Sequence, residues 1–392
     1  MSDAPVSYRG FSCPHEQLDE ELLRRIAIRH YRRALRTYVD RHAALLEERG
    51  SGGLVDVCRR WFDSDVGFET VWHVSFGKMR EVLAQQMADA EVLTAGARIG
   101  LRLSEMGMSA DWKLSLETPA QFRWGRWLFP ECDGLELHAE RDGADVALTL
   151  GSTRRVVHLE RAADGEWNAD GAALIPRFDT GSRQLNVLLP DTPEGKENME
   201  HPLVVDEATR EAVWRGYGAA FDVLGRYAPV YVPYVNRLLR NLVPVQAEPG
   251  KYIGGGSLRD NPGVVKLPFA REPVGLAANL GHETAHQHYF LLRGAGPVDD
   301  GSDQNLYYSP FVRLERNLTT ILLTYHAFAN EALVSRTCEL AGIADPYAAA
   351  RAELVRKTLA PVEDILAKST ALTPLGRDLW QPVAEHLRRA FS

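Results

Sequence analysis

Residues 274–292 read VGLAANLGHETAHQHYFLL, and within them His282, Glu283 and His286 form the pattern H-E-x-x-H. An α-helix turns once in about 3.6 residues, so His282 and His286 project from one face a single turn apart. Two imidazoles at that separation can share one metal ion, with Glu283 placed to support a bound water or ligand. The flanking LAANL and YFLL make the helix apolar nearly all round, which predicts burial. A buried imidazole without a partner costs about 1–3 kcal/mol, and a shared metal removes that cost. Hydrogen-bonded core histidines are the alternative reading of the same pair. His288 falls on the opposite side of the helix and reads as structural.

A catalytic metal needs a third protein ligand and an open position. The next long apolar segment offers His326 and Glu331. Five residues separate them, about 140° around a helix, so one ion does not take both. Glu331 as ligand gives the donor set of a zinc peptidase with Glu283 as general base. Its 45-residue distance from His286 (331 − 286) is long for that class, whose glutamate follows after about twenty. His326 as ligand gives a site that suits iron and oxygen chemistry as well as zinc.

Outward from this centre the chain reads as α+β. Leu18, Leu22, Ile26, Leu35, Val39 and Leu46 keep helical spacing over residues 16–49, and SGG at 51–53 ends that run. A second helix is expected over 78–93. After Asp111 the texture alternates and is broken by DG and GS turns, which predicts short antiparallel strands. FRWGRWLFP, with Trp124 and Trp127, reads as strand core, or as an aromatic platform for a substrate. Helices return from Glu207. KYIGGGSLRDNPGVVKLPF, residues 251–269, predicts a strand pair around a glycine-rich turn, either a plain hairpin or an edge for an extended peptide. The expected division is a helical region over 1–108, a β-rich region over 109–200 and a mostly helical metal-binding domain over 201–392.

Composition bounds the partners. The 392 residues include 53 acids and 45 bases, a net charge of −8, which supplies no general field for nucleic acid. Cys13, Cys58, Cys132 and Cys338 are far apart and form no CxxC pair, so four reduced thiols are expected rather than a disulfide framework. No apolar run approaches membrane-spanning length and the first residues lack a signal pattern, so a cytoplasmic protein is expected. Within this acidic chain, Arg24, Arg25, Arg29, Arg32, Arg33, Arg36 and Arg41 make the first helix basic. That helix is either a solvated face making ion pairs or a dock for an acidic leader peptide or partner.

LGHETAHQHYFLL, followed by LYYSPFVRLERNLTTILLTYHAFANEAL, resembles the α-ketoglutarate-dependent HExxH-type peptide β-hydroxylases. In that family the motif helix is followed by YY-x-P-W-R-x-x-x-R-P-L and then a helix with an Ala-Phe stretch. Tyr307, Tyr308, Pro310, Arg316, Leu318, Ala327 and Phe328 match. Phe311 replaces the tryptophan, Val312 the first arginine and Asn317 the proline. Leu323 stands where many members have a histidine, and His326 lies nearly one turn further on. The likeness covers about residues 274–336.

The resemblance implies an Fe(II) enzyme that uses α-ketoglutarate (2-oxoglutarate) and O2 to hydroxylate the β-carbon of a residue in a ribosomally made precursor peptide. The expected metal ligands are His282, His286 and His326. The distal carboxylate of α-ketoglutarate needs a cation, expected at Arg316 with Arg313 in reserve. Glu283 then orients the metal site rather than activating water. A zinc metallopeptidase and a degenerate peptide-binding HExxH protein are the competing readings.

Overall fold

The HETAH segment forms one helix, Pro273–Leu292. Proline opens it, where an N–H would have no intrahelical acceptor. From Val274 to Leu292 every residue is buried except His282, His286 and Phe290. Those three are spaced i, i+4, i+8, so the helix opens to its surroundings along a single stripe, and the histidine pair lies on it. The computed structural model describes residues 6–64, 67–108, 111–139, 145–163, 166–198, 203, 205–246, 255–269, 271–343 and 345–392.

The motif helix packs against the helix Leu318–Leu340. Gly281, immediately before His282, allows the approach: a Cβ there would lie 2.8 Å from a methyl of Val334. Asn317 caps the second helix, its side chain accepting the Thr320 N–H at 3.0 Å. Helices Pro346–Lys368 and Pro374–Ala390 complete this bundle. On the other flank Gln287 accepts the Gly263 N–H at 2.9 Å and donates to the Val264 carbonyl at 3.2 Å. The motif helix is thereby fixed to the strand Val264–Pro268.

That strand edges a four-stranded sheet in the order Val264–Pro268, Asn241–Val245, Gln184–Val187, Arg177–Asp179. Its first three strands are parallel and the last is antiparallel. The sheet takes strands from both sides of residue 200, where the sequence suggests a division. A second sheet is the expected antiparallel meander, running in chain order from Trp112–Ala120 through Cys132–Ala139, Asp145–Leu150 and Arg155–Arg161 to Trp167–Ala169. Trp124 is fully buried edge-to-face on Trp167, as strand core.

The N-terminal region is helical, with two departures from expectation. The segment expected as one helix over 78–93 is two, Val74–Ala84 and Asp89–Glu105. Gln85 is extended, and Glu91 reaches back to the Ala88 N–H at 3.2 Å, starting a new helix where periodicity alone would continue the old one. SGG ends the first helix at Glu48, yet Gly52–Phe62 is itself helical, because Leu54, Val55, Val57, Cys58 and Trp61 give it a buried face. Of the expected strand pair over 251–269, Lys251–Gly254 lie outside the described residues; Gly256 bridges antiparallel to Lys266. All four cysteines are free and buried. Among the described residues no helix is long and apolar enough to cross a membrane.

Candidate metal centre

The Nε2 atoms of His282 and His286 face each other at 3.1 Å. With metal–nitrogen bonds of about 2.1 Å, two ligands at right angles stand about 3.0 Å apart and two tetrahedral ligands about 3.4 Å. The observed separation is within reach of either arrangement around one ion and is also that of a hydrogen bond between the two rings. Nδ1–H of His282 donates to Glu331 Oε2 at 3.0 Å. This fixes the tautomer and turns the Nε2 lone pair towards His286.

Glu331 is in turn held by Arg351, whose Nε donates to Oε1 at 2.7 Å. Burial favours a neutral carboxyl at Glu331, but His282 and Arg351 outweigh it and hold the pKa below the usual value. Burial likewise opposes charge on His282, and the bond to Glu331 outweighs it, so this imidazole is shifted upward. His286 is driven well below its ordinary pKa by burial, then by His282. A neutral imidazole is the form that binds metal.

Glu283 is 3% exposed, with Oε1 4.0 Å from His282 Nε2. Burial raises its pKa against the pull of His282. Among the described residues Oε2 has no hydrogen-bond partner, a buried acceptor of the kind a bound group satisfies. The glycine-rich segment closes over this side chain: a Cβ on Gly255 would lie 2.6 Å from Glu283 Cγ and 2.5 Å from the Lys266 carbonyl. Ser257 Oγ donates to the Glu283 carbonyl at 3.0 Å.

Phe328 sets its ring edge-to-face on His282 at 4.5 Å, and Phe311 stacks on Phe328 at 3.6 Å. The hairpin Tyr307–Ser309 and Leu314–Arg316 is thereby seated beside the histidine pair. Arg313 makes the turn with φ of 55° and is exposed. Arg316 is half-buried opposite Tyr307. Neither has an ion pair among the described residues. A cleft of about 820 Å³ lies on this hairpin's Tyr307–Tyr308 side, but no residue of HETAH lines it.

His326, expected as third ligand, stands apart from the pair. Phe328 and Glu331 both face His282, and His326 is about 160° and 140° around the helix from them. Its Nε2–H donates to the carbonyls of Ser12 at 2.7 Å and Phe11 at 3.2 Å, and burial lowers its pKa to about 4. Asn330 donates to the same Ser12 carbonyl at 3.0 Å. This face of the helix therefore holds the N-terminal segment. The described residues gather no set of three His, Cys, Asp or Glu side chains around one point. Glu331, the rival ligand, is committed to His282 and Arg351. His288 is structural, as expected, stacked on Tyr234 at 3.9 Å with Nε2 bonded to its carbonyl.

Arg351 and Gly255 are missing from the reading of the sequence alone. Nothing local marks Arg351, which reaches the site from a different helix. Gly255 lies within the GGG run, whose glycines do signal a close approach. No family model matches the chain, and no curated protein matches it.

Proposed function

We propose that the protein is an Fe(II)/α-ketoglutarate-dependent oxygenase that hydroxylates the β-carbon of a residue in a ribosomally made precursor peptide. The observation that carries this reading is the chain Arg351–Glu331–His282–His286, ending in two Nε2 atoms 3.1 Å apart on the open stripe of a buried helix. His282 and His286 would hold the ion through those nitrogens. Glu331 orients His282 and, being so committed, is not placed as a third ligand in this reading or in the peptidase one. When bound, the iron supplies O2 activation, with α-ketoglutarate oxidised to succinate and CO2 as one oxygen atom enters the substrate C–H bond. Arg316 and Arg313 offer guanidinium groups to the distal carboxylate. Glu283 supports the site from beside His282.

One observation keeps a zinc metallopeptidase as a second reading. Glu283 is a buried carboxyl of raised proton affinity beside the histidine pair, which suits a general base. Mass spectrometry of candidate peptides after incubation with iron(II) and α-ketoglutarate separates the two. The oxygenase adds ~16 Da, one oxygen atom, and releases succinate only when peptide is present. Cleavage with zinc and no co-substrate establishes the peptidase. Neither change, with peptide still retained by His282→Ala protein, leaves a binding module.

A further inference from the structure

The first helix, Glu20–Glu48, forms one wall of a cleft of about 700 Å³. Among the described residues lining it, six of thirteen are arginines and none is acidic, although the chain as a whole carries a charge of −8. Arg24 is paired with Glu21 at 2.9 Å, and Arg32 donates to the Ser64 carbonyl at 2.7 Å. Arg25, Arg29 and Arg33 are exposed, and their side chains make no hydrogen bond or ion pair among the described residues. They stand at i, i+4 and i+8, one stripe along the helix, where like charges repel each other. Arg36 extends the stripe at its end, its guanidinium 5.0 Å from the Phe62 ring centroid. Ile28 and Val6, the latter 56% exposed, add apolar wall.

We propose that this cleft docks an extended acidic peptide carrying carboxylates at alternate residues. The spacing selects that occupant. Successive arginines on the stripe are about 6 Å apart along the helix axis, four residues of rise. In an extended strand, residues i and i+2 are about 6.6 Å apart on the same side. Glu-x-Glu-x-Glu therefore presents one carboxylate to each guanidinium, in the planar geometry arginine favours. A nucleic acid would meet a protein of the same overall sign. The cleft also reaches Gly294 and Ala295, just beyond the motif helix, roughly 12 Å of rise from His286. A peptide held there keeps its continuation at high local concentration near the histidine pair. The docking itself does not depend on the oxygenase reading.

The test is fluorescence anisotropy with His282→Ala protein, so that metal chemistry plays no part. The probe is a fluorescein-labelled peptide of alternating glutamate and threonine. Binding that weakens with salt, at least about tenfold tighter than for the isomer with its glutamates in adjacent pairs, is the expected result. Arg25→Glu/Arg29→Glu/Arg33→Glu protein should lose at least about tenfold in affinity, while the triple lysine variant, which keeps the charge without the planar fork, should lose less than the glutamate variant. Circular dichroism melting confirms that both variants fold. Equal affinity for the two peptide isomers, equal or tighter binding of a labelled oligothymidylate, or no binding at low salt overturns the proposal.

Discussion

Arg351 donates to a single oxygen of Glu331 through two nitrogens, Nε and a terminal one, each at 2.7 Å. The other oxygen is left to His282. The orientation of the first histidine of HETAH therefore depends on a residue 69 positions later (351 − 282), on a different helix. Removing the guanidinium strands a buried carboxylate. Arg351→Ala should cost about 3 kcal/mol in denaturant unfolding. Calorimetric titration should also show metal affinity reduced about 10- to 100-fold, with His282 and His286 both still present. Unchanged metal affinity would show that Glu331 does not orient the site.

Metal content checks the pair directly. Protein supplied with iron and zinc should retain about one ion per chain by elemental analysis, and His282→Ala or His286→Ala should each fall below about a tenth of that. His326→Gln should keep its metal, because His326 faces Ser12 rather than the pair.

Gly255→Ala tests the packing over Glu283. The new methyl meets both a side chain and a backbone carbonyl, so the segment has to shift. The expected cost is about 1–3 kcal/mol in unfolding free energy. Turnover should fall while metal stoichiometry stays at the wild-type level, since the histidines are untouched.

The pH dependence of stability should carry a contribution from His326. Its pKa is about 4 in the folded protein against 6.5 for an ordinary histidine. Above about pH 6.5 neither state holds the proton, and the stabilisation is fully present. As pH falls towards 4 the unfolded chain takes up a proton that the folded one refuses, and about 3 kcal/mol is lost. Urea titrations of wild type and His326→Gln should show the gap between them narrowing by that amount from about pH 7.5 to pH 4. A constant gap would mean that His326 is protonated in the folded state.

The motif helix was legible because its evidence is local. Apolar residues all round predict burial, and the one-turn spacing of His282 and His286 predicts a shared direction, which is what the structure shows. The choice between His326 and Glu331 was only half legible. Their 140° separation shows that they face different ways, but which one meets His282 is set by how two helices rotate against each other. That rotation is fixed by contacts such as Gly281 on Val334. Arg351 was not legible at all, since one arginine on a polar helix looks like any other. The break near Gln85 was missed for a related reason: apolar periodicity continues across it, and only the backward reach of Glu91 marks the new start.

The carbonyl of Ser12 is held by His326 and Asn330, and its hydroxyl accepts the N–H of Val383. These partners follow it by 314, 318 and 371 residues. During synthesis these partners follow Ser12 by more than three hundred residues, so this segment takes its place only after they have emerged. The first helix need not wait with it, because it packs mainly against the helices between Gly52 and Glu105, which are made soon after it.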